Sequence, residues 1–180
     1  MLLSSERSVL VVVDIQEKLM PAIAESARVE RNAATLLKAA ALLGVPAFAT
    51  EQYPKGLGPT AASLRALLPP DGVVEKITFS AAREPAFLER LERLGRRQIV
   101  LCGSEAHVCV MQTALSLVGL GFDVVLVADA VSSRVPANAE LGIARMRAAG
   151  ATIVSTEMVL FEWMERSDIP AFKAVLDLIR

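Results

Sequence analysis

Of 180 residues, one is histidine, two are cysteine, one is tryptophan and one is tyrosine. A single histidine excludes a multi-histidine zinc centre, so no metal site is expected. Two cysteines, Cys102 and Cys109, make no disulfide framework, and a reducing cytoplasm is the expected compartment. No apolar run approaches the ~20 residues of a membrane span. The opening Met1-Leu-Leu-Ser-Ser-Glu-Arg7 lacks the basic and long apolar regions of a secretory leader. Neither sign of charge dominates: 19 Lys and Arg stand against 20 Asp and Glu, scattered along the chain. That balance is not the electrostatic footprint of a partner of nucleic acid or of a membrane surface.

What is abundant is short apolar segments, with 53% of residues hydrophobic. The length supports one sizeable core and not two ordinary domains, so residues 1–180 read as a single domain. Ser8–Val13 (SVLVVV) is a β-branched run suited to a strand buried on both faces. Further strands are predicted at 45–50, 72–76, 98–102, 123–128 and 151–154. Helices are predicted between them, at 26–43, 60–68, 83–94, 107–118 and 136–149, with a helical tail from 155 interrupted near Pro170. The Gly- and Pro-rich segment 51–59 reads as a loop. Strands alternating with helices predict an α/β fold, a Rossmann-like doubly wound and mainly parallel sheet of six strands with helices on both faces.

Such sheets keep ligands at the carboxyl edge of their strands. The order of the chain delivers Asp14, the Glu51–Tyr53 loop, Lys76, the turn before Cys109, and Asp129 to that edge. The stretch Val100-Leu-Cys-Gly-Ser-Glu-Ala-His-Val-Cys-Val-Met-Gln-Thr-Ala114 is a strand, a small-residue turn and a helix start. A helix start favours a thiolate, so Cys109 is a candidate nucleophile expected to react well below the ~8.5 of a free thiol. Cys102, inside the strand, is read as a small core hydrophobe. The switch point between the strands ending at Asp14 and Cys102 places Asp14 beside Cys109. Lys76 stands two strand spacings away, about 9.5 Å, so its loop has to turn back for the ammonium to arrive. His107, two residues before Cys109, would project about 200° away on a helix, which disqualifies it as the base. Asp129 is expected to organise a turn. Gln16, Tyr53, Phe79, His107 and the 131–135 loop are candidates for a substrate pocket.

With these residues the chain resembles the isochorismatase-like hydrolases, the cysteine hydrolase superfamily that includes nicotinamidases. The resemblance spans nearly the whole chain. It rests on Asp14-Ile-Gln16, on Lys76 followed by Thr78-Phe79-Ser80, and most specifically on Gly103-Ser-Glu-Ala-His-Val-Cys-Val-Met-Gln-Thr-Ala114. The wording of Thr50-Glu-Gln-Tyr-Pro-Lys-Gly-Leu-Gly58 and Glu105-Ala-His-Val-Cys109 is most similar to the isochorismatase-domain-containing branch. The resemblance implies the strand order 3-2-1-4-5-6 and a triad of Asp14, Lys76 and Cys109. It implies a cis peptide at Ser104–Glu105 and an oxyanion site from the backbone N–H groups of Glu105 and Cys109. It implies no cofactor, a small-molecule substrate, and a homodimer or larger homo-oligomer, to which residues 158–163 and 169–179 would lend apolar surface unless that tail folds back on its own sheet.

Two departures narrow the chemistry. The nicotinamidase Asp-x-His metal motif is replaced here by Glu51-Gln-Tyr53, and the cysteine absent from true isochorismatases is present. Hydrolysis of a small amide or imide through a thioester is therefore expected. Ether or ester hydrolysis on an isochorismate-like substrate, and a non-catalytic binding protein on the same fold, are the alternatives.

Overall fold

Val9, Leu10, Val11, Val12 and Val13 have no exposed surface on either side of the backbone. That is the signature of a central strand covered on both faces. In the computed structural model, which describes Met1–Arg180, this strand, β1 (Ser8–Val13), lies in the middle of a six-stranded sheet. The others are β2 (Ala47–Gln52), β3 (Val73–Lys76), β4 (Gln98–Ser104), β5 (Asp123–Ser132) and β6 (Thr152–Val154). Their order is β3-β2-β1-β4-β5-β6 and every pairing is parallel. The switch point falls between β1 and β4, where Val13 pairs with Gly103.

Alternate residues of β1 divide two cores. Leu10 and Val12 join α1 (Ser26–Leu43), α7 (Thr156–Met164) and Val175 of α8 (Phe172–Leu176) on one face. Val9, Val11 and Val13 join α4 (Pro85–Leu94), α5 (Met111–Gly119) and α6 (Pro136–Ala148) on the other. The remaining short helices, α2 (Pro54–Leu57) and α3 (Ala62–Arg65), lie between β2 and β3. The tail folds back: Val159, Leu160, Trp163 and Val175 are core residues, and the Trp163 indole donates to Ser8 Oγ at 3.0 Å. No helix is long and apolar enough to cross a membrane.

The differences from the predicted elements gather at the carboxyl edge. Strand two runs to Gln52 rather than Thr50, and the loop after it contains α2. Strand four continues through Ser104 and strand five through Ser132. Their register jumps from Leu101↔Leu126 to Gly103↔Val131, so β5 carries extra residues opposite Cys102. Asp129 lies in that irregular stretch rather than beyond the strand. Its Oδ1 accepts from the Thr156 N–H and hydroxyl at 2.8 and 2.9 Å, tying β5 to the start of α7.

Gly103 has φ +128, and a Cβ there would stand 2.0 Å from the Val13 carbonyl oxygen. Only glycine allows β4 to pass β1 at that distance. Gly103→Ala is expected to cost roughly 3 kcal/mol or more. Urea unfolding of the purified variant, or its loss from the folded fraction, measures this.

Candidate active site

One residue past β1, the chain adopts the left-handed region at Asp14, with φ +50. The side chain is fully buried. Its Oδ1 accepts from the Thr50 hydroxyl at 2.6 Å. Its Oδ2 faces the Lys76 ammonium at 2.7 Å, and both side chains have no exposure. Lys76 is the last residue of β3, paired with Gln52. Its side chain, not a returning loop, crosses the gap the sequence reading assigned to the loop.

The ammonium is held in a cage of oxygens. Besides Asp14, Nζ donates to Gln52 Oε1 at 2.7 Å and to the carbonyls of Thr78 and Phe79 at 3.3 Å each. Those carbonyls sit on a strap pinned from outside by Glu84. Its Oε1 accepts from the N–H groups of Ile77 and Thr78 and from the Thr78 hydroxyl, at 3.2, 3.0 and 2.7 Å. These bonds, the Thr78 hydroxyl foremost, lower the Glu84 pKa below the ordinary carboxylate value. Farther along, Ala81 N–H donates to Thr113 Oγ1 and Ser80 to Ser116, fastening the strap to α5.

The helix that carries the thiol opens as a π-helical turn, Ala106–Val110, before continuing as α5. Cys109 lies in this turn, mostly buried, with Asp14 and Lys76 as its charged neighbours. Burial pushes its thiol up to about 12; the Asp14 carboxylate adds to the rise and the Lys76 ammonium opposes it. This reverses the expectation of a thiolate at a helix start. Desolvation and a buried anion outweigh the helix end. Cys102 is likewise held at about 12 by complete burial.

The peptide Ser104–Glu105 is cis. The Glu105 carbonyl accepts from the N–H groups of Val108 and Val110, passing over that of Cys109 between them. The Glu105 carboxylate, buried, accepts from Arg134 Nε at 3.0 Å and from the Arg134 backbone N–H at 3.2 Å. His107 Nδ1 lies 2.9 Å from Ser133 Oγ and 3.9 Å from Glu105 Oε2. His107 lies in a π turn rather than an α-helix, and its ring is engaged by Ser133.

Gln16 departs from its expected place in a pocket. Fully buried, it donates to the carbonyls of Gln52 and Gly58 at 3.1 and 2.6 Å and accepts from the Gln52 N–H at 2.8 Å. Its amide is spent on closing the 52–58 loop. Glu51 is also committed, to Thr60 N–H and Oγ1. Tyr53 and Phe79 are exposed aromatic side chains at this edge. No group of three or more His, Cys, Asp or Glu side chains gathers as a metal centre. Thr50 and Glu84 were not singled out from the sequence, and Gln52 and Arg134 entered only as parts of the 51–53 and 131–135 loops. Thr50 and Gln52 alternate on a strand whose end faces Lys76, a period-two signal that could have found them.

A doubly wound parallel sheet with an acid, a lysine and a thiol at its carboxyl edge is an α/β architecture carrying a candidate hydrolytic site. Comparison with known proteins agrees and is more particular. The isochorismatase domain profile matches residues 8–158, and the chain belongs to that family. It is 40% identical over 180 residues to isochorismatase domain-containing protein 2 of Danio rerio, covering 98% of this chain and 89% of that protein. The MAR1 ribonuclease of Caenorhabditis elegans superimposes with a TM-score of 0.94 at 35% identity, covering 99% of this chain and 92% of that one. YcaC from Pseudomonas aeruginosa, solved with hexane-2,5-diol and covalent acrylamide, gives 0.92 at 26% identity, covering 98% and 91%.

Because the native thiol is held near 12 rather than ~8.5, alkylation of Cys109 by iodoacetamide should keep accelerating as pH rises past 9, without a plateau. Lys76→Met removes the one group that lowers that value, so the variant should react more slowly at every pH in this range. Rates followed by intact mass from pH 7 to 10.5 test both; a wild-type plateau centred near 8.5 would refute the first.

Proposed function

We propose that the chain hydrolyses a small amide or imide through a thioester on Cys109. The observation that carries this reading is the fully buried Asp14–Lys76 ion pair set beside the thiol. At rest the thiol is neutral. As Sγ attacks the substrate carbonyl carbon, its proton passes to Asp14, and the C–N bond then breaks as Asp14 returns the proton to the leaving amine. Water, deprotonated by the same carboxylate, attacks the thioester and releases the acid and the thiol. Lys76 offsets the charge of Asp14 whenever that carboxylate is ionised. The N–H groups of Glu105 and Cys109 receive the oxyanion, a contribution of about 3–4 kcal/mol per donor in comparable sites. Supporting this, the Glu105 N–H has no protein acceptor.

The similar MAR1 is named a ribonuclease, which makes RNA a rival substrate. In this chain the net charge of -1 and the absence of a second histidine disfavour a general acid–base nuclease, and an RNA oligomer belongs in the assay as a rival substrate. Isochorismate belongs there too. Wild-type protein is expected to turn over one or more members of a small-amide panel, with Cys109→Ala reduced to background and an acyl adduct on Cys109 visible by mass spectrometry. Undiminished turnover by Cys109→Ala would overturn the reading.

The expected homo-oligomer is proposed as well. Met158 and Phe161 stay 54% and 44% exposed on α7 although Val159, Leu160, Trp163 and Met164 of that helix are in the core. Light scattering should give a mass at least twice the 19.2 kDa of one chain.

A further inference from the structure

The strap between β3 and α4 carries two of the carbonyls that cage the Lys76 ammonium, those of Thr78 and Phe79. Its own side chains do little to hold it there. Ile77 is 69% exposed and Phe79 53%, and burial resumes only at Ser80. A segment without buried apolar side chains keeps its path through hydrogen bonds. On one side Gln52 supplies them: its Nε2 donates to the Ile77 carbonyl at 2.7 Å while its Oε1 accepts from Lys76. On the other side Glu84 gathers three donors on one oxygen, the N–H groups of Ile77 and Thr78 and the Thr78 hydroxyl. An N-cap side chain ordinarily serves the N–H groups of its own helix. Glu84 stands at the N-cap of α4 and makes no capping bond there; it reaches back along the chain to the strap instead. The two charges also sense each other. The Thr78 hydroxyl is the foremost cause of the lowered Glu84 pKa, and the Lys76 ammonium is among the others.

We propose that Glu84 is a positioning residue that, by fixing the strap, holds the Lys76 ammonium where it stabilises the Cys109 thiolate. This deepens the proposed function and rests on its reading of Cys109 as the reacting group. The rival account makes the strap a cover, with Glu84 merely closing a loop over the sheet edge. The two accounts predict opposite signs. Removing a cover admits reagent and quickens alkylation. Loosening the ammonium weakens the one group that lowers the pKa of the thiol, and slows it.

The test follows alkylation of Cys109 by iodoacetamide at pH 9, with intact mass and peptide mapping. The sulfur forms a bond to the methylene carbon, iodide leaves, and the thiol proton passes to solvent. Glu84→Ala is expected to react about fivefold more slowly than wild type, a loss in the range of one hydrogen-bonded contact. In a Lys76→Met background the same substitution should change nothing, because the group it acts through is gone. Thr78→Val, which deletes the hydroxyl that Glu84 holds, should slow the reaction as Glu84→Ala does, and Thr78→Ser should restore it. Cys102, fully buried in β4, should stay unmodified and so reports a closed sheet. If Glu84→Ala or Lys76→Met opens it, the Thr78→Val and Thr78→Ser pair decides alone. A Glu84→Ala rate equal to or above that of wild type, or the same slowing with and without Lys76, overturns the proposal and leaves the nucleophile in place. Failure of wild-type Cys109 to react, when the urea-unfolded chain does, overturns the nucleophile assignment and this proposal together.

Discussion

The ion pair between Asp14 and Lys76 is the interaction around which this sheet edge is arranged. Removing two full charges from water costs several kcal/mol per ion unless each is matched and further hydrogen-bonded. The surroundings meet that demand with polar atoms drawn from three adjacent strands: Thr50 and Gln52 of β2, the carbonyls after β3, and the left-handed turn after β1. The central run Val9–Val13 sets the frame in which those atoms meet, because a strand covered on both faces cannot shift register without displacing both cores. Replacing either charge alone would leave its partner stranded in a dry environment, so the pair is stable only as a pair.

That same dryness decides the state of the thiol. A helix end and a neighbouring ammonium both favour the thiolate, yet burial and the Asp14 carboxylate prevail. Under the proposed mechanism, a neutral thiol makes proton transfer to Asp14 part of the attack. Cys102 is equally raised, by complete burial and by the Asp129 carboxylate, and lies inside β4.

The fold was legible because it depends on patterns that survive in one dimension: β-branched runs, helix periodicity, and the glycines that end them. The strand ends were less legible. β2, β4 and β5 run two to four residues beyond their predicted limits, since the ladder there is extended by neighbours and not by local propensity. Asp14, Lys76 and Cys109 could be placed at one sheet edge because each ends or follows a recognisable strand. Thr50 and Glu84 were missed because their roles are hydrogen bonds to residues distant in the chain, and a threonine or a glutamate in isolation has no distinguishing mark. Gln16 illustrates the opposite error. Its position beside Asp14 suggested a pocket, whereas its amide is consumed by a loop 36 to 42 residues away in sequence.

The strand order has a consequence for the growing polypeptide. The carboxylate, the ammonium and the strap that encloses it all come from the first 84 residues, with β1, β2 and β3 adjacent in the sheet. The thiol arrives only when β4 docks on the far side of β1, a pairing of residues about 90 positions apart, as in Ser8↔Gln98. Long-range pairings of this kind form late, after their loop-closure entropy is met. A nascent chain thus holds its charges before it holds its sulfur, and Cys109 has no partner to accept its proton until the two halves of the sheet have joined.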